Sequence, residues 1–271
     1  VGDFALAFWE PGARRLILCC DGMGRRPLFY RVTRETVLWA SGARALVEGA
    51  GLSMVLDDEH IADFLCNRPS AHSPFAAVSR LLGGHALIVS PDKSELVRYW
   101  SFDPNHTIRY RDDRDYEHHF SDVFQAAVAC RLASDGPVFS ELSGGVDSGA
   151  VTCVANHLVE SGVVPCPELR TVSYVYDLSP SSDERPFMQT VEAFLGRPSM
   201  YVMESEHLFA LKTGESVQPD APTNGLRMLA LNDRVTSAMQ VAGSRVILSG
   251  LGGDQVLNSQ PNVAVLLADL I

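Results

Sequence analysis

From residue 116 onward, short apolar runs alternate with segments whose apolar residues recur at helical spacing, and that alternation admits few folds. Residues 116–132 carry the helical spacing, 138–142 form an apolar run, and 149–160 are helical again. Residues 171–176, 199–203 and 245–248 are further runs, separated by helical segments around 186–195 and 226–242. A helix after each strand returns the chain to the same end of the sheet, so such strands pair in parallel and the helices cover the faces. The expected class is α/β, with a parallel, doubly wound sheet.

The first hundred residues read differently. Runs at 3–9, 16–20, 28–32 and 37–40 are separated by turn material at Pro11-Gly12 and Asp21-Gly22-Met23-Gly24, the spacing of hairpins. An acidic turn at 57–59 leads a short helix at 60–65, and runs at 85–90 and 96–100 close this part. Residues 101–115 are rich in Asp, Arg and Asn and read as a linker, which gives domains at 1–100 and 116–271.

Charge excludes some functions. Residues 1–110 hold 12 Lys plus Arg against 12 Asp plus Glu, whereas 111–271 hold 10 against 21, so the net charge of −11 belongs to the second part. Phosphate backbones need clustered cations, so a nucleic-acid partner is not expected. The six cysteines are irregularly spaced without any Cys-x-x-Cys, which predicts mostly buried thiols rather than zinc ligands or a disulfide framework. No stretch approaches the roughly 18 apolar residues of a membrane span, and the first residues lack a basic-then-apolar layout. A cytoplasmic location without a membrane partner is therefore expected.

The string Glu141-Leu142-Ser143-Gly144-Gly145-Val146-Asp147-Ser148-Gly149 stands where an apolar run ends and a helix begins. Main-chain N–H groups are free at such a junction and the helix dipole favours an anion. Adjacent glycines let the backbone curl round a phosphate, and the serines add hydroxyl donors. Asp147 suits an anion site only with a divalent cation between them, so the loop implies magnesium together with its phosphate. A second glycine-rich string, Leu248-Ser249-Gly250-Leu251-Gly252-Gly253-Asp254-Gln255, follows another strand. Neighbouring parallel strands would bring Asp147 and Asp254 to one crevice at their carboxyl ends, where two carboxylates can hold Mg²⁺.

These strings carry a family resemblance. Residues 143–148 resemble the pyrophosphate-binding loop of the ATP-pyrophosphatase superfamily, with Leu142 as in its asparagine-synthetase branch, and 248–255 are similar to the Ser-Gly-x-Gly-x-Asp-Glu loop of asparagine synthetases. Residues 2–9 and 21–30 resemble strands of that family's glutaminase domain, and Tyr99-Trp100 stands where it hands over to the synthetase domain. The resemblance implies part of an N-terminal-nucleophile glutaminase-like α+β sandwich, followed by the first portion of an ATP-binding synthetase domain. The activity it implies is an ATP-dependent amide ligase that forms AMP and pyrophosphate, using ATP and Mg²⁺. Its substrate would be a small-molecule or peptide carboxylate, with asparagine synthesis as the default and glutamine or ammonia supplying nitrogen if the protein is an amidotransferase.

Carried over by position, Ser143, Gly144, Gly145, Asp147 and Ser148 would hold pyrophosphate and metal. Leu142, Tyr174, Ser249 and Gly250 would contact adenosine through backbone, and Asp254 would be the second metal carboxylate. Asp183-Glu184 stands where many members have an acidic pair, and it reads equally as an acidic first turn. Taken alone, residues 21–30 read as a structural hairpin.

Three departures qualify the resemblance. The family's nucleophilic cysteine would precede Val1, and none of Cys19, Cys20 or Cys66 stands in its place; the family's lysine would follow Ile271. The chain is accordingly expected to be an internal piece of a longer protein, without glutaminase activity and inactive by itself. Leu251 and Gln255 stand where asparagine synthetases usually have Glu, which removes two acids near the acceptor. Relatives with altered second loops include β-lactam synthetases and the macrolactam cyclases of lasso-peptide clusters, a likeness extending to residues 258–261 and 267–270. A nucleotide-binding module without catalysis is the remaining alternative.

Overall fold

The computed structural model describes residues 2–206 and 229–254, which belong to two compact units, one ending at Ile108 and the other beginning at Arg109. The first contains β1 (Ala5–Glu10), β2 (Arg15–Cys20), β3 (Leu28–Val32), β4 (Val37–Ala40), α1 (Ala43–Gly49), α2 (Asp58–Leu65), β5 (Ser79–Leu81), β6 (His85–Val89) and β7 (Ser94–Arg98). Its strands pair antiparallel in two sheets, ordered β1-β2-β6-β7 and β4-β3-β5. Alternation along the strands sorts their side chains. Leu16, Leu18 and Cys20 of β2 meet Leu28 of β3 and Leu81 of β5 in a shared core, so the sheets face one another. Phe29, one residue on, points to the other side and packs against Ala43, Leu46 and Val47 of α1.

The β2–β3 connection is tied by one side chain. Asp21 is 2% exposed, and its carboxylate accepts from the backbone N–H groups of Phe4, Met23, Arg25 and Arg26 at 3.0–3.3 Å. Burial alone would raise the pKa of this carboxyl. The four donors outweigh it and hold the group below the ordinary aspartate range.

The second unit contains α3 (Asp113–Ala129), β8 (Val138–Glu141), α4 (Val146–Glu160), β9 (Leu169–Val175), α5 (Arg185–Leu195), β10 (Met200–Met203), α6 (Leu229–Ala242) and β11 (Val246–Leu248). Its four described strands are parallel, in the order β10-β9-β8-β11. Helices cover both faces. Val138 of β8 and Leu169 of β9 pack with Val128 of α3 and Ala155 and Leu158 of α4. Phe139, Val172 and Val202, on the opposite face, pack with Leu231 and Val235 of α6. The mixed α/β class with a parallel sheet is thus realised, accompanied by the antiparallel sheets of the first unit.

Several expectations need adjustment. Helix α1 and strand β5 have no counterpart in the sequence reading. Helix α3 opens at Asp113 rather than 116, because the Asp112 side chain accepts from Arg114 N at 3.0 Å and caps it there. The cysteines are all free, but only Cys20 and Cys166 are buried; Cys66 and Cys130 are exposed at helix ends, where no neighbouring element covers them. Among the described residues no helix is long and apolar enough to cross a membrane. Gln255, 258–261 and 267–270, together with 226–228 of the expected helix, lie outside the described residues.

Candidate functional site

Strand order locates the site. The chain runs from β8 outward through β9 to β10 and then returns to the opposite side of β8 as β11. The chain therefore leaves β8 toward one side of the sheet and re-enters on its other side as β11, which sets the carboxyl ends of β8 and β11 side by side, the place where open α/β sheets bind ligands. Both glycine-rich strings lie there.

The first string turns sharply into α4. Gly144 has φ +86°, a conformation that a Cβ disfavours, and a Cβ there would approach the Glu184 backbone oxygen to 3.0 Å. Gly145 is the N-cap and offers no side chain to the first-turn N–H groups, which stay available for an anion. The hydroxyls of Ser143 and Ser148 bond each other at 2.8 Å, and Ser148 Oγ also accepts from Ser143 N at 3.1 Å. The serines therefore brace the loop from within.

The second string lies against the first. A Cβ on Gly250 would stand 2.5 Å from the backbone nitrogen of Ser148, and one on Gly253 would overlap the Asp147 carboxylate. Only glycine permits this approach, which brings the segment carrying Asp254 beside Asp147.

Together the loops border a cavity of about 490 Å³. Leu142, Ser143, Gly145, Asp147, Ser148, Tyr174, Ser249, Gly250 and Asp254 all line it, while Gly144 packs behind the turn against Glu184 and Phe187. Glu141, Tyr176, Glu184 and Leu251 line it as well, without having been singled out as ligands. A charged residue ending an otherwise buried strand was the available signal for Glu141. The acidic pair divides: Asp183 is held by Arg185 through a bidentate pair at 2.6–3.0 Å, which lowers its pKa, whereas Glu184 reaches the cavity.

The electrostatics are one-sided. Glu141, Asp147, Glu184 and Asp254 line the cavity, and no Lys, Arg or His among the described residues does. No described residue hydrogen-bonds the carboxylates of Asp147 or Asp254. Burial first, then the charge of Glu141 and the proximity of Tyr176, push the Tyr174 phenol up to about 12. It therefore stays protonated and donates to Asn232 Oδ1 at 3.3 Å. Among the described residues no cluster of three or more His, Cys, Asp or Glu forms a ready metal cage. A hard cation here would take one or two carboxylates and complete its shell with oxygens of a phosphate ligand or water, the usual arrangement for Mg²⁺.

The first unit has a larger, more open concavity of about 1020 Å³ beside Trp9, Arg14, Arg34 and Trp39. It lies along the turns joining β1 to β2, β3 to β4 and β6 to β7, and among its described lining residues the acids are Glu35 and Asp92, accompanied by Arg14, Arg34 and Lys93. Size therefore does not decide which concavity is the site.

Known protein families match both parts of the chain. Residues 119–264 match the family described as asparagine synthase, and residues 1–100 match the glutamine amidotransferase domain. Asparagine synthetase [glutamine-hydrolyzing] 3 of Bacillus subtilis (strain 168) is 30% identical over 182 residues, 65% of this chain and 28% of that protein. Two fungal proteins, amidase chry2 of Gibberella zeae and amidase chyE of Penicillium rubens, are each 27% identical over 94% of this chain and 39% of their own length. The chain spans well under half the length of these curated relatives. With more than half of its residues matched, and with both glycine-rich loops inside the matched segment, the chain belongs to the asparagine synthase family.

Proposed function

We propose that the second unit binds ATP with Mg²⁺ and that the protein is an amide ligase forming AMP and pyrophosphate. One observation carries this reading. The N-terminus of α4 offers uncommitted N–H groups beside the uncommitted carboxylates of Asp147 and Asp254, in a cavity whose described lining has no cation. A triphosphate could not enter such an acidic cavity bare; Mg²⁺ would neutralise it and draw charge from the leaving pyrophosphate. Asp147 and Asp254 suit that ion, since each presents acceptor oxygens that no described residue occupies.

In the proposed reaction a carboxylate oxygen attacks the α-phosphorus as the bond to pyrophosphate breaks. An amine then attacks the acyl carbon, AMP leaves, and the amine gives up a proton. The chain's contribution is positioning: the loop 143–148 fixes the pyrophosphate, and the backbone of Leu142, Tyr174, Ser249 and Gly250 fixes the nucleoside. On this reading residues 116–271 are the first portion of an ATP-pyrophosphatase-like synthetase domain. Residues 1–100 are part of a glutaminase-type sandwich, joined to it through 101–115. Aspartate is the default carboxylate, with nitrogen from glutamine or ammonia.

A second reading is favoured by Leu251, which lines the cavity and is 91% exposed where asparagine synthetases usually carry an acid. An apolar rim suits a peptide or other organic carboxylate that closes on its own amine, as in lactam-forming cyclases. The alignment with two proteins named amidases over 94% of this chain supports a substrate other than aspartate.

Isotope transfer tests the shared chemistry. With ¹⁸O in the substrate carboxylate, one labelled oxygen is expected in the AMP produced. Unlabelled AMP, or release of ADP, would contradict adenylation.

A further inference from the structure

Glu141 occupies the end of the cavity remote from the phosphate cradle. Along β8, Val138 points to the cluster with α3 and α4, Phe139 to the cluster with α6, and Ser140 back to α4, where it bonds Thr152 at 2.9 Å. Glu141 therefore points to the α6 side, where Tyr174 packs. The cradle, at the N-terminus of α4, belongs to the other face. A nucleotide with its phosphates in the cradle would extend across the sheet end toward Glu141, Tyr174 and Tyr176, which line the same cavity.

Tyr174 keeps its proton, and both Asn232 Oδ1 and the Glu141 carboxylate stand as acceptors for it. An ionised carboxylate only accepts, through two oxygens with about four lone-pair sites, so Glu141 retains acceptor capacity after any contact with one phenol. Resting on the reading of this cavity as a nucleotide site, we infer that the Glu141 carboxylate selects the base, taking the 6-amino group of adenine and rejecting a 6-carbonyl. A 6-carbonyl turns an acceptor toward an acceptor, and the N1–H beside it offers the carboxylate only an offset donor, so ITP is disfavoured. The ribose 2′-hydroxyl is another donor that ATP brings, and the test separates it from the amino group.

Dissociation constants for ATP, ITP and 2′-deoxy-ATP, each with Mg²⁺, would be measured on the protein and on Glu141→Gln. The protein is expected to prefer ATP over ITP by about tenfold or more. In Glu141→Gln, whose amide can turn a donor toward a carbonyl, that preference should fall by about tenfold while the ATP to 2′-deoxy-ATP ratio holds. Glu141→Asp keeps the charge but withdraws it by one methylene, and should also lower the preference; it serves if the Gln variant fails to fold. An ATP over ITP preference that survives both substitutions would overturn the assignment, as would a change confined to 2′-deoxy-ATP. Those results leave the cavity as a nucleotide site, whereas no binding of any nucleotide by the unaltered protein removes the site and this inference together.

Discussion

Asp21 directly follows β2 in the first unit and Asp147 lies in the first turn of α4 in the second, both beside glycine-rich turns, yet their hydrogen-bonding capacity is used in opposite ways. Asp21 is buried and accepts four backbone N–H groups, so nothing is left for a ligand. Asp147 faces a cavity, accepts from no described residue, and has Gly253 where any side chain would displace it. A motif aspartate is therefore structural or functional according to the donors its own loop supplies. Composition would rank the two alike.

The contrast breaks first at Asp21. Replacing it with Ala strands four backbone donors in a buried turn, which should cost about 4 kcal/mol, since each unsatisfied buried group costs about 1–3 kcal/mol and some can rehydrate. Trp9, Trp39 and Trp100 all lie in the first unit, so within residues 1–271 tryptophan fluorescence during urea unfolding reports on this unit. The pH dependence has a definite sign. Because the folded pKa of Asp21 is lowered, its stabilisation is present above the unfolded value of about 3.9 and is lost as pH falls through the folded value. The stability gap between the protein and Asp21→Asn should therefore narrow below about pH 4; a gap that is constant with pH would remove the charge from the explanation.

Asp147→Asn should do the reverse. Mg²⁺-dependent ATP binding is expected to weaken by roughly 2–3 kcal/mol, the order of a charge-assisted contact. Unfolding should shift by less than about 0.5 kcal/mol. Titration calorimetry showing undiminished binding would take Asp147 out of the metal site. Gly250→Ala sharpens the point by forcing the two loops apart: its Cβ would meet the Ser148 backbone, for a cost of about 1–3 kcal/mol and loss of nucleotide affinity with it. The smallest effect belongs to Leu251→Glu. Its 91% exposure leaves stability within about 0.5 kcal/mol, so any change in which carboxylate is activated can be read without a folding correction.

Strand and helix types in the second unit were legible because buried parallel strands and amphipathic helices have different periods, and Val138, Phe139 and Leu169 keep them. Helix α1 was not, being seven residues long with Gly42 as N-cap and no side-chain cap to announce it. Strand β5, three residues long, has no period at all. The loops were visible through their glycines, but the reason Gly250 and Gly253 must be glycine is a contact with residues a hundred positions earlier. The same holds for Glu141, Tyr176 and Glu184, which strand order and a helix start bring to the cavity, and for Asp183, whose role was settled by the arginine two residues on.

Carboxylate activation at the cavity beside β8 and β11 is tested most directly by ATP–pyrophosphate exchange with the protein bearing this chain. With Mg²⁺, exchange of labelled pyrophosphate into ATP should require a carboxylate, either aspartate or a peptide, and should be lost in Asp147→Asn while the protein remains folded. Exchange that proceeds equally in Asp147→Asn, or its absence with every carboxylate despite tight MgATP binding, would contradict the assignment of this cavity to adenylation.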